Sequence, residues 1–143
     1  MLYDAVERPG STTPAALCEA YEAEVRDVVA AGGVEAVADA AGVDEDRLAA
    51  LADGGSPTLS LSEAAAVLAT QKGAPDDETI VREVRDHLLM AMTTGVVDVD
   101  TVASNVDLDL SGQEIQQAIE GRVELTLAEL AAIHRFVASR NER

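Results

Sequence analysis

The feature that most constrains this chain is an apolar pattern at helical spacing that is interrupted by a single glycine. The pattern is carried by Val37, Ala41, Val43, Leu48 and Leu51. Gly42 suits a helix end with positive φ, and Asp44 is a favourable N-cap for the helix that follows. Because Ala38 is small, the second helix can cross closely over the first. The spacing therefore predicts two short helices that are joined by a tight turn and cross at a steep angle.

The residues that follow extend this pattern towards a known arrangement. Residues 54–59 contain two glycines and a proline and predict a loop, while Ser60 to Glu63 have the spacing of a capping box before an apolar helix. From Val37 to Leu68 the chain resembles the lambda-repressor/Cro-like helix-turn-helix family, in which a short helix, a glycine turn, a recognition helix, a loop and a further helix follow one another. The resemblance implies an all-α fold and a recognition helix that enters the major groove of DNA.

A second copy of the pattern is predicted in the other half of the chain. Its apolar and glycine positions are Val102, Ala103, Val106, Leu108, Ile115, Ala118 and Gly121. Asp107 replaces the turn glycine, and a turn is still possible because aspartate tolerates left-handed backbone. Asp109 and Leu110 are additional, so this turn should be longer. The other repeated elements are the capping-box sequences at 111–114 and 126–129 and the tetrapeptide at 24–27 and 83–86. A tandem duplication explains these matches.

The predicted architecture is all-α, with two tandem helical domains of about four helices each in the lambda-repressor/Cro-like arrangement. The first domain covers residues 12–72, and the second, divergent domain covers residues 75–140. We expect helices near 14–31, 34–41, 44–53, 60–72, 75–93, 98–105, 111–120 and 126–140.

Composition limits how the core can be built. Two tyrosines and one phenylalanine are the only aromatic residues, so the core must consist mainly of Ala, Val, Leu and Ile. The residues that we expect to be buried are Val37, Ala38, Ala41, Val43, Leu48, Leu51, Leu61, Leu68, Val102, Ile115, Leu127 and Leu130. The first ten residues and Asn141 to Arg143 are expected to be loose.

The charge balance is strongly acidic. The 27 acids and 10 bases give a formal net charge of −17, and Lys72 is the only lysine. This composition, with arginine favoured over lysine, resembles that of proteins from salt-loving archaea, where molar salt screens self-repulsion over a Debye length of about 3 Å. An acidic protein of a low-salt organism is the alternative. Under the halophilic interpretation, negative charge is a background feature that indicates little about partners.

Residues that could carry chemistry are few and scattered. Residues 98–109 have acids at some positions of a calcium-binding loop, but the required glycine and one ligand position are missing. His87 and His134 have no ligand spacing around them, and Cys18 has no partner for an internal disulfide. The sequence therefore predicts a protein that is not an enzyme and holds no metal, cofactor or small-molecule substrate. With no signal peptide and no apolar run of membrane-spanning length, we expect a cytoplasmic location.

Two functions from different classes agree with these patterns. The first is a DNA-binding regulator that reads bases mainly through its second domain. Its candidate DNA contacts are Ser111, Gln113, Gln116, Gln117, Arg122 and, in the first domain, Arg47. The second is a protein-interaction or dimerisation module without DNA binding, which agrees with the absence of a basic cluster. Its candidate surfaces are apolar stripes at Val25 to Val29 and Val84 to Leu89, on the first long helix of each domain.

Overall fold

The computed structural model describes residues 1–142 and shows an all-α protein in that range. The α-helices are α1 Pro14–Gly32, α2 Val34–Ala41, α3 Glu45–Ala52, α4 Leu61–Leu68, α5 Asp77–Gly95, α6 Val99–Asn105, α7 Gly112–Ile119 and α8 Leu127–Asn141. A short 3-10 turn at Pro9–Ser11 precedes them, and one isolated β-bridge is the only extended pairing in the described residues. Each of the predicted helices is present within a few residues of its expected bounds, which confirms the all-α prediction.

Side-chain caps determine where most of these helices begin. Single caps precede four helices, at Thr13, Asp44, Asp76 and Asp98. Full capping boxes precede α4, α7 and α8, at Ser60, Ser111 and Thr126. Each cap accepts a hydrogen bond from a backbone N–H that has no partner inside its helix. The three capping boxes expected from the sequence are therefore confirmed.

The two turns inside the predicted helix-turn-helix units are built differently. Gly42 closes α2 in left-handed backbone with φ of 69°, as predicted, and three residues separate α2 from α3. After α6, Val106 is extended at φ −102°, and Asp107 does not adopt the positive φ of the glycine that it replaces. Six residues separate α6 from α7, so this turn is longer, as predicted. The extra length lets the chain reverse through extended backbone, without a left-handed residue.

One apolar core includes residues from all the helices. The positions that the sequence predicts to be buried are buried, except that Ala41 is half-buried. Leu48 and Leu51 of α3 and Ile115 of α7 are fully inaccessible to solvent. Leucine, valine, isoleucine and alanine supply most of this core, as the shortage of aromatic residues requires.

Each half of the chain packs its long first helix against the last helix of the other half. The first long helix, α1, packs against α8, and the second long helix, α5, packs against α4. At the β-bridge between Ser60 and Thr126, the N–H of Leu61 donates to the carbonyl of Leu125 at 2.8 Å. The N–H of Leu127 donates to the carbonyl of Leu59 at 2.9 Å. The starts of α4 and α8 are therefore fixed side by side by the same pair of bonds.

The prediction of a loose N-terminal segment is wrong. Leu2 is fully buried, and its N–H donates to the carboxylate of Glu24 at 2.9 Å. The N–H of Gly10 donates to Glu142 at 2.7 Å, and a Cβ on Gly10 would overlap the backbone of α8. The buried side chain of Leu2 and the close packing of Gly10 on α8 thus hold this segment against α1 and α8. Asn141 belongs to α8, so it is not loose either, and Arg143 lies outside the described residues.

Candidate functional site

α7, which carries most of the predicted DNA contacts, is firmly seated at its first turn. A Cβ on Gly112 would overlap the carboxylate of Asp100, so glycine allows α7 to approach α6 closely. The Oγ of Ser111 accepts a hydrogen bond from the N–H of Glu114 at 3.1 Å, so this side chain serves to begin the helix. The buried face of α7 consists of Gly112, Ile115, Ala118 and Ile119. The opposite face is polar.

The polar face of α7 brings three of the predicted contacts together. Gln113 and Gln116 are exposed, and Gln117 is half-buried. The Nε2 of Gln116 donates to the carboxylate of Glu120 at 2.8 Å. Gln113 and Gln117 lie one helical turn apart, and neither side-chain amide forms a hydrogen bond within residues 1–142. These two amides are therefore available to an external partner.

The two arginines predicted to contact DNA are each held by a glutamate. Arg122 pairs with Glu120, and this hydrogen bond holds the pKa of the Glu120 carboxyl below its usual value. Arg47 pairs with both carboxylate oxygens of Glu63 and donates to the carbonyl of Thr58 at 2.9 Å. The hydrogen bond from Arg47 likewise lowers the pKa of Glu63. Both guanidinium groups are thus engaged inside the chain.

Most other arginines also have partners within the chain. These pairs are Arg8 with Glu142, Arg26 with the carbonyl of Leu51, Arg135 with the carbonyl of Thr12, and Arg140 with the ring of Phe136. Arg82 and Arg85 have no hydrogen bond or ion pair within residues 1–142, and they lie near the opposite end of α7 from Gln113. The first turn of α3 presents exposed acids. The described surface therefore offers no line of unengaged cations beside α3 or α7.

The apolar surface of the long helices differs from the predicted one. In the predicted stripes, Val25, Val28, Val29, Val84 and Leu88 are buried. They are buried because α1 and α5 each pack against a helix of the other half of the chain. The expected contact surfaces at Val25 to Val29 and Val84 to Leu89 are therefore wrong, apart from Leu89, which is 52% exposed.

The exposed apolar surface lies instead at the C-terminal end of α5. Met90 is 70% exposed, and Val96, directly after the helix, is 91% exposed. Val96 has φ of 54°, a left-handed conformation that is unfavourable for a β-branched residue. We call Leu89, Met90 and Val96 the α5 patch. Sequence reasoning missed Val96 because the helix end was expected before it and nothing in the residue type signals exposure.

A partly buried cluster of aromatic side chains joins the two halves. It contains both tyrosines and both histidines of the chain, namely Tyr3, Tyr21, His87 and His134. The hydroxyl of Tyr21 and Nδ1 of His134 are hydrogen-bonded at 2.5 Å. Burial, together with the neighbouring His87, lowers the pKa of His134 to about 4. His134 is therefore uncharged at neutral pH.

Groups suited to chemistry are scarce elsewhere in the described residues. Burial, together with Glu22, raises the pKa of the Cys18 thiol to about 11, which keeps this half-buried cysteine protonated. Residues 1–142 contain no cluster of three or more histidine, cysteine, aspartate or glutamate side chains that could hold a metal ion. None of the described helices is both long enough and apolar enough to cross a membrane.

Comparison with known proteins gives one match. A model described as a family of unknown function, DUF5791, matches residues 17–140, so the chain belongs to that family. No curated protein matches this chain. No solved structure matches it either.

Proposed function

We propose, since membership of DUF5791 carries no function, that this chain is a cytoplasmic, non-enzymatic protein of a salt-adapted organism that works through protein contacts. Its architecture, in this proposal, is two divergent lambda-repressor/Cro-like helix-turn-helix units, over residues 12–72 and 75–140. The proposed partner is a second copy of the chain, and the proposed contact surface is the α5 patch. The exposure of this patch is the observation that carries the proposal.

Corresponding contacts in the two halves support the duplication. Arg26 and Arg85 come from the repeated tetrapeptide, and each lies at the C-terminal end of the recognition helix of its own unit. The two arginines occupy corresponding places but bond differently, because Arg26 donates to the carbonyl of Leu51 whereas Arg85 packs on Gly121 and its Nε has no acceptor within residues 1–142. The reciprocal backbone bonds at the β-bridge also join residues at equivalent positions of the two copies. Such agreement is expected of two units with a common ancestor.

The α5 patch has the character of a contact surface. Its three side chains are among the few large apolar residues exposed in the described part of the chain. Val96 adds backbone strain, which tends to persist where a conformation is used for function. Burial of apolar surface of this kind is favourable by about 25 cal/mol per Å².

The absence of charged residues in the segment around the patch allows a second copy as the occupant. Residues 88–97 are ten consecutive uncharged residues in a chain that has a net charge of −17. Two copies that meet through this segment keep their acidic surfaces apart, and molar salt screens the repulsion that remains. A two-fold interface of the patch with itself needs no other complementary surface.

Sedimentation equilibrium of the full chain in molar KCl tests this proposal. We expect a monomer–dimer equilibrium in which Met90→Asp weakens association by at least tenfold, because it introduces a charge into each side of an apolar contact. Ala30→Asp, at an exposed position of α1, is the matched control and should leave association unchanged. A wild-type chain that remains monomeric at high concentration, or equal association of the two variants, would rule out the self-contact.

DNA reading through α7 is the second candidate. The unengaged amides of Gln113 and Gln117 favour it, because glutamine can hydrogen-bond the edge of adenine in the major groove. The engagement of Arg47 and Arg122 by glutamates weighs against it, since few cations remain to bind phosphate. Ser111 and Gln116 would join the contact only if their present hydrogen bonds were exchanged.

Binding to genomic DNA fragments in molar KCl tests this second candidate. If α7 reads bases, the double variant Gln113→Ala/Gln117→Ala should lose about 1–3 kcal/mol of specific binding for each lost contact. Asp46→Asn is the control, because it removes an exposed acid from α3 and should leave binding unchanged or strengthen it. Absence of binding by the wild-type chain at any salt concentration would eliminate DNA as the partner.

A further inference from the structure

A cleft of about 300 Å³ lies between α5 and the loop that follows α7. Arg82 and Arg85 line one side of it, and the apolar side chains of Val81, Ala118 and Val123 line another. Arg82 and Arg85 are three residues apart on α5, so both guanidinium groups project from one face of the helix. The cleft thus combines two cations and three carboxylates with an apolar wall.

Arg85 is the unusual member of this pair. Its Nε is buried and has no hydrogen-bond partner within residues 1–142. A buried donor without a partner costs about 1–3 kcal/mol, so the position of this side chain is unfavourable without an acceptor. Most of the other arginines in the described residues have a partner in the chain, as described above.

Gly121 makes room for the Arg85 side chain. A Cβ at position 121 would overlap the guanidinium group, and the φ of 82° at this glycine is itself unfavourable for other residues. Gly54, at the equivalent position of the first half, has no such neighbour within 4 Å. The close approach is therefore a property of this cleft and not of the glycine turn in general.

The equivalent arginine in the first half shows the alternative arrangement. The Nε of Arg26 donates to the carbonyl of Leu51 at 2.8 Å and is satisfied inside the chain. The residue that corresponds to Leu51 is Ala118, but Arg85 makes no hydrogen bond to its carbonyl. In the first half the arginine thus donates to a carbonyl at a helix end, whereas in the second half the Nε of Arg85 has no acceptor among the described residues.

The three acids that line the cleft, Asp77, Glu78 and Glu124, form no ion pair with these arginines. Glu124 accepts hydrogen bonds from the N–H and the hydroxyl of Ser62 at 3.0 and 2.7 Å. Asp77 accepts from the N–H of Glu78 at 3.0 Å. No acid lies within ion-pair distance of Arg82 or Arg85 in the described residues, since the four ion pairs found there involve other groups.

We propose that this cleft binds a small organic anion through a carboxylate or phosphate group. The oxyanion accepts hydrogen bonds from the guanidinium groups of Arg85 and Arg82, a geometry in which arginine pairs strongly with planar or tetrahedral oxyanions. The apolar part of the ligand packs on Val81, Ala118 and Val123.

Thermal unfolding of the full chain tests the site, with inorganic phosphate and acetate as probes against KCl at the same ionic strength. We expect at least one oxyanion to raise Tm in a saturable way, because a ligand that binds only the folded state stabilises it. Response to phosphate alone assigns a phosphate ligand, and response to acetate alone assigns a carboxylate. No rise beyond that of KCl with either probe would overturn the proposal.

Charge-matched variants separate the cleft from the general effect of anions. Arg85→Gln should abolish the oxyanion-specific rise in Tm, and Arg82→Gln, at an exposed position, should weaken binding at least fivefold. Arg122→Gln removes the same charge from an exposed arginine outside the cleft and should retain the full response. If Arg85→Gln does not fold, Arg82→Gln decides the question by isothermal titration. An unchanged affinity in Arg82→Gln or an unchanged response in Arg85→Gln would overturn the assignment.

Discussion

The first and second halves of this chain keep the same apolar positions and helix caps but differ in their turns and polar faces. Leu48 of α3 and Ile115 of α7 occupy matching core positions, and both are fully buried. By contrast, the first turn uses Gly42 in left-handed backbone, whereas the second passes through an extended Val106. α3 begins with exposed acids, and α7 presents glutamines. In the proposed duplication, packing and caps are therefore kept more closely than the turn and the outer surface.

Salt should produce the largest effect on both halves. Transfer from molar to low KCl should loosen or unfold the whole chain, because unscreened repulsion among 27 acids opposes compaction. Circular dichroism during thermal unfolding at several KCl concentrations measures this. Since the halves share one core, a single transition is expected to shift. A melting temperature that does not depend on salt would contradict the halophilic interpretation.

Truncation of the matched core positions should come next in size. Leu48→Ala and Ile115→Ala should each lower the free energy of unfolding by about 2–5 kcal/mol, because each leaves a cavity in a closed core. Gln113→Ala, at an exposed site of α7, is the control and should change it by less than about 0.5 kcal/mol. Urea unfolding in molar KCl gives the three values. A loss at one matched position only would show that the two units depend unequally on this contact.

Acid should weaken the contact between the halves at the Tyr21–His134 pair. Burial lowers the pKa of His134 from 6.5 to about 4, so the unfolded chain binds a proton where the folded chain does not. Its contribution to stability is complete above about pH 6.5 and is lost as the pH falls towards 4. From about pH 7.5 to about pH 5 the loss should be about 2 kcal/mol.

Urea unfolding at the two pH values checks this sign and size. His134→Gln cannot titrate and should be less stable at neutral pH but show a shallower pH dependence. His87, whose pKa burial also lowers, contributes in the same direction and remains in the variant. An equally steep dependence in His134→Gln would assign the effect to other groups.

Removal of matched caps should have the smallest effect of the set. Ser60→Ala and Ser111→Ala should each cost about 1 kcal/mol, because each leaves a helix N–H without its acceptor. Ser104→Ala lies inside α6, where its hydroxyl bonds back to a carbonyl, and serves as the control. Thermal unfolding measures the three variants. Equal losses of stability at Ser60 and Ser111 would support the equivalence of the two halves.

The sequence predicted the helices and the core closely because both depend on local rules. Capping boxes at Ser60, Ser111 and Thr126 and apolar spacing around Leu48 and Ile115 carry the information within a few residues. The exposure of α1 and α5 was predicted wrongly, because it depends on helices that lie far away in the sequence. The same reason explains the burial of Leu2.

Little of the candidate site could be predicted. Residue type identified Gln113 and Gln117 as polar side chains on one face of α7, and the structure leaves both without a partner. Whether Arg47 and Arg122 are free or bound to glutamate depends on side-chain geometry that spacing does not encode. The sequence patterns did not predict Arg85 as a site residue, although the repeated tetrapeptide contains it. Its unpaired Nε becomes visible only when the surrounding atoms are known.

The fastening of the two ends of the chain has a consequence for how it folds during synthesis. Gly10 bonds to Glu142 across 132 residues, and Tyr21 bonds to His134 across 113. Individual helices form within about a microsecond, but these closures require a search over the whole chain. As the chain leaves the ribosome, the apolar face of α1 that packs against α8 therefore stays exposed until α8 has emerged. During that interval the nascent first half is the form of the molecule most exposed to aggregation or to capture by a chaperone.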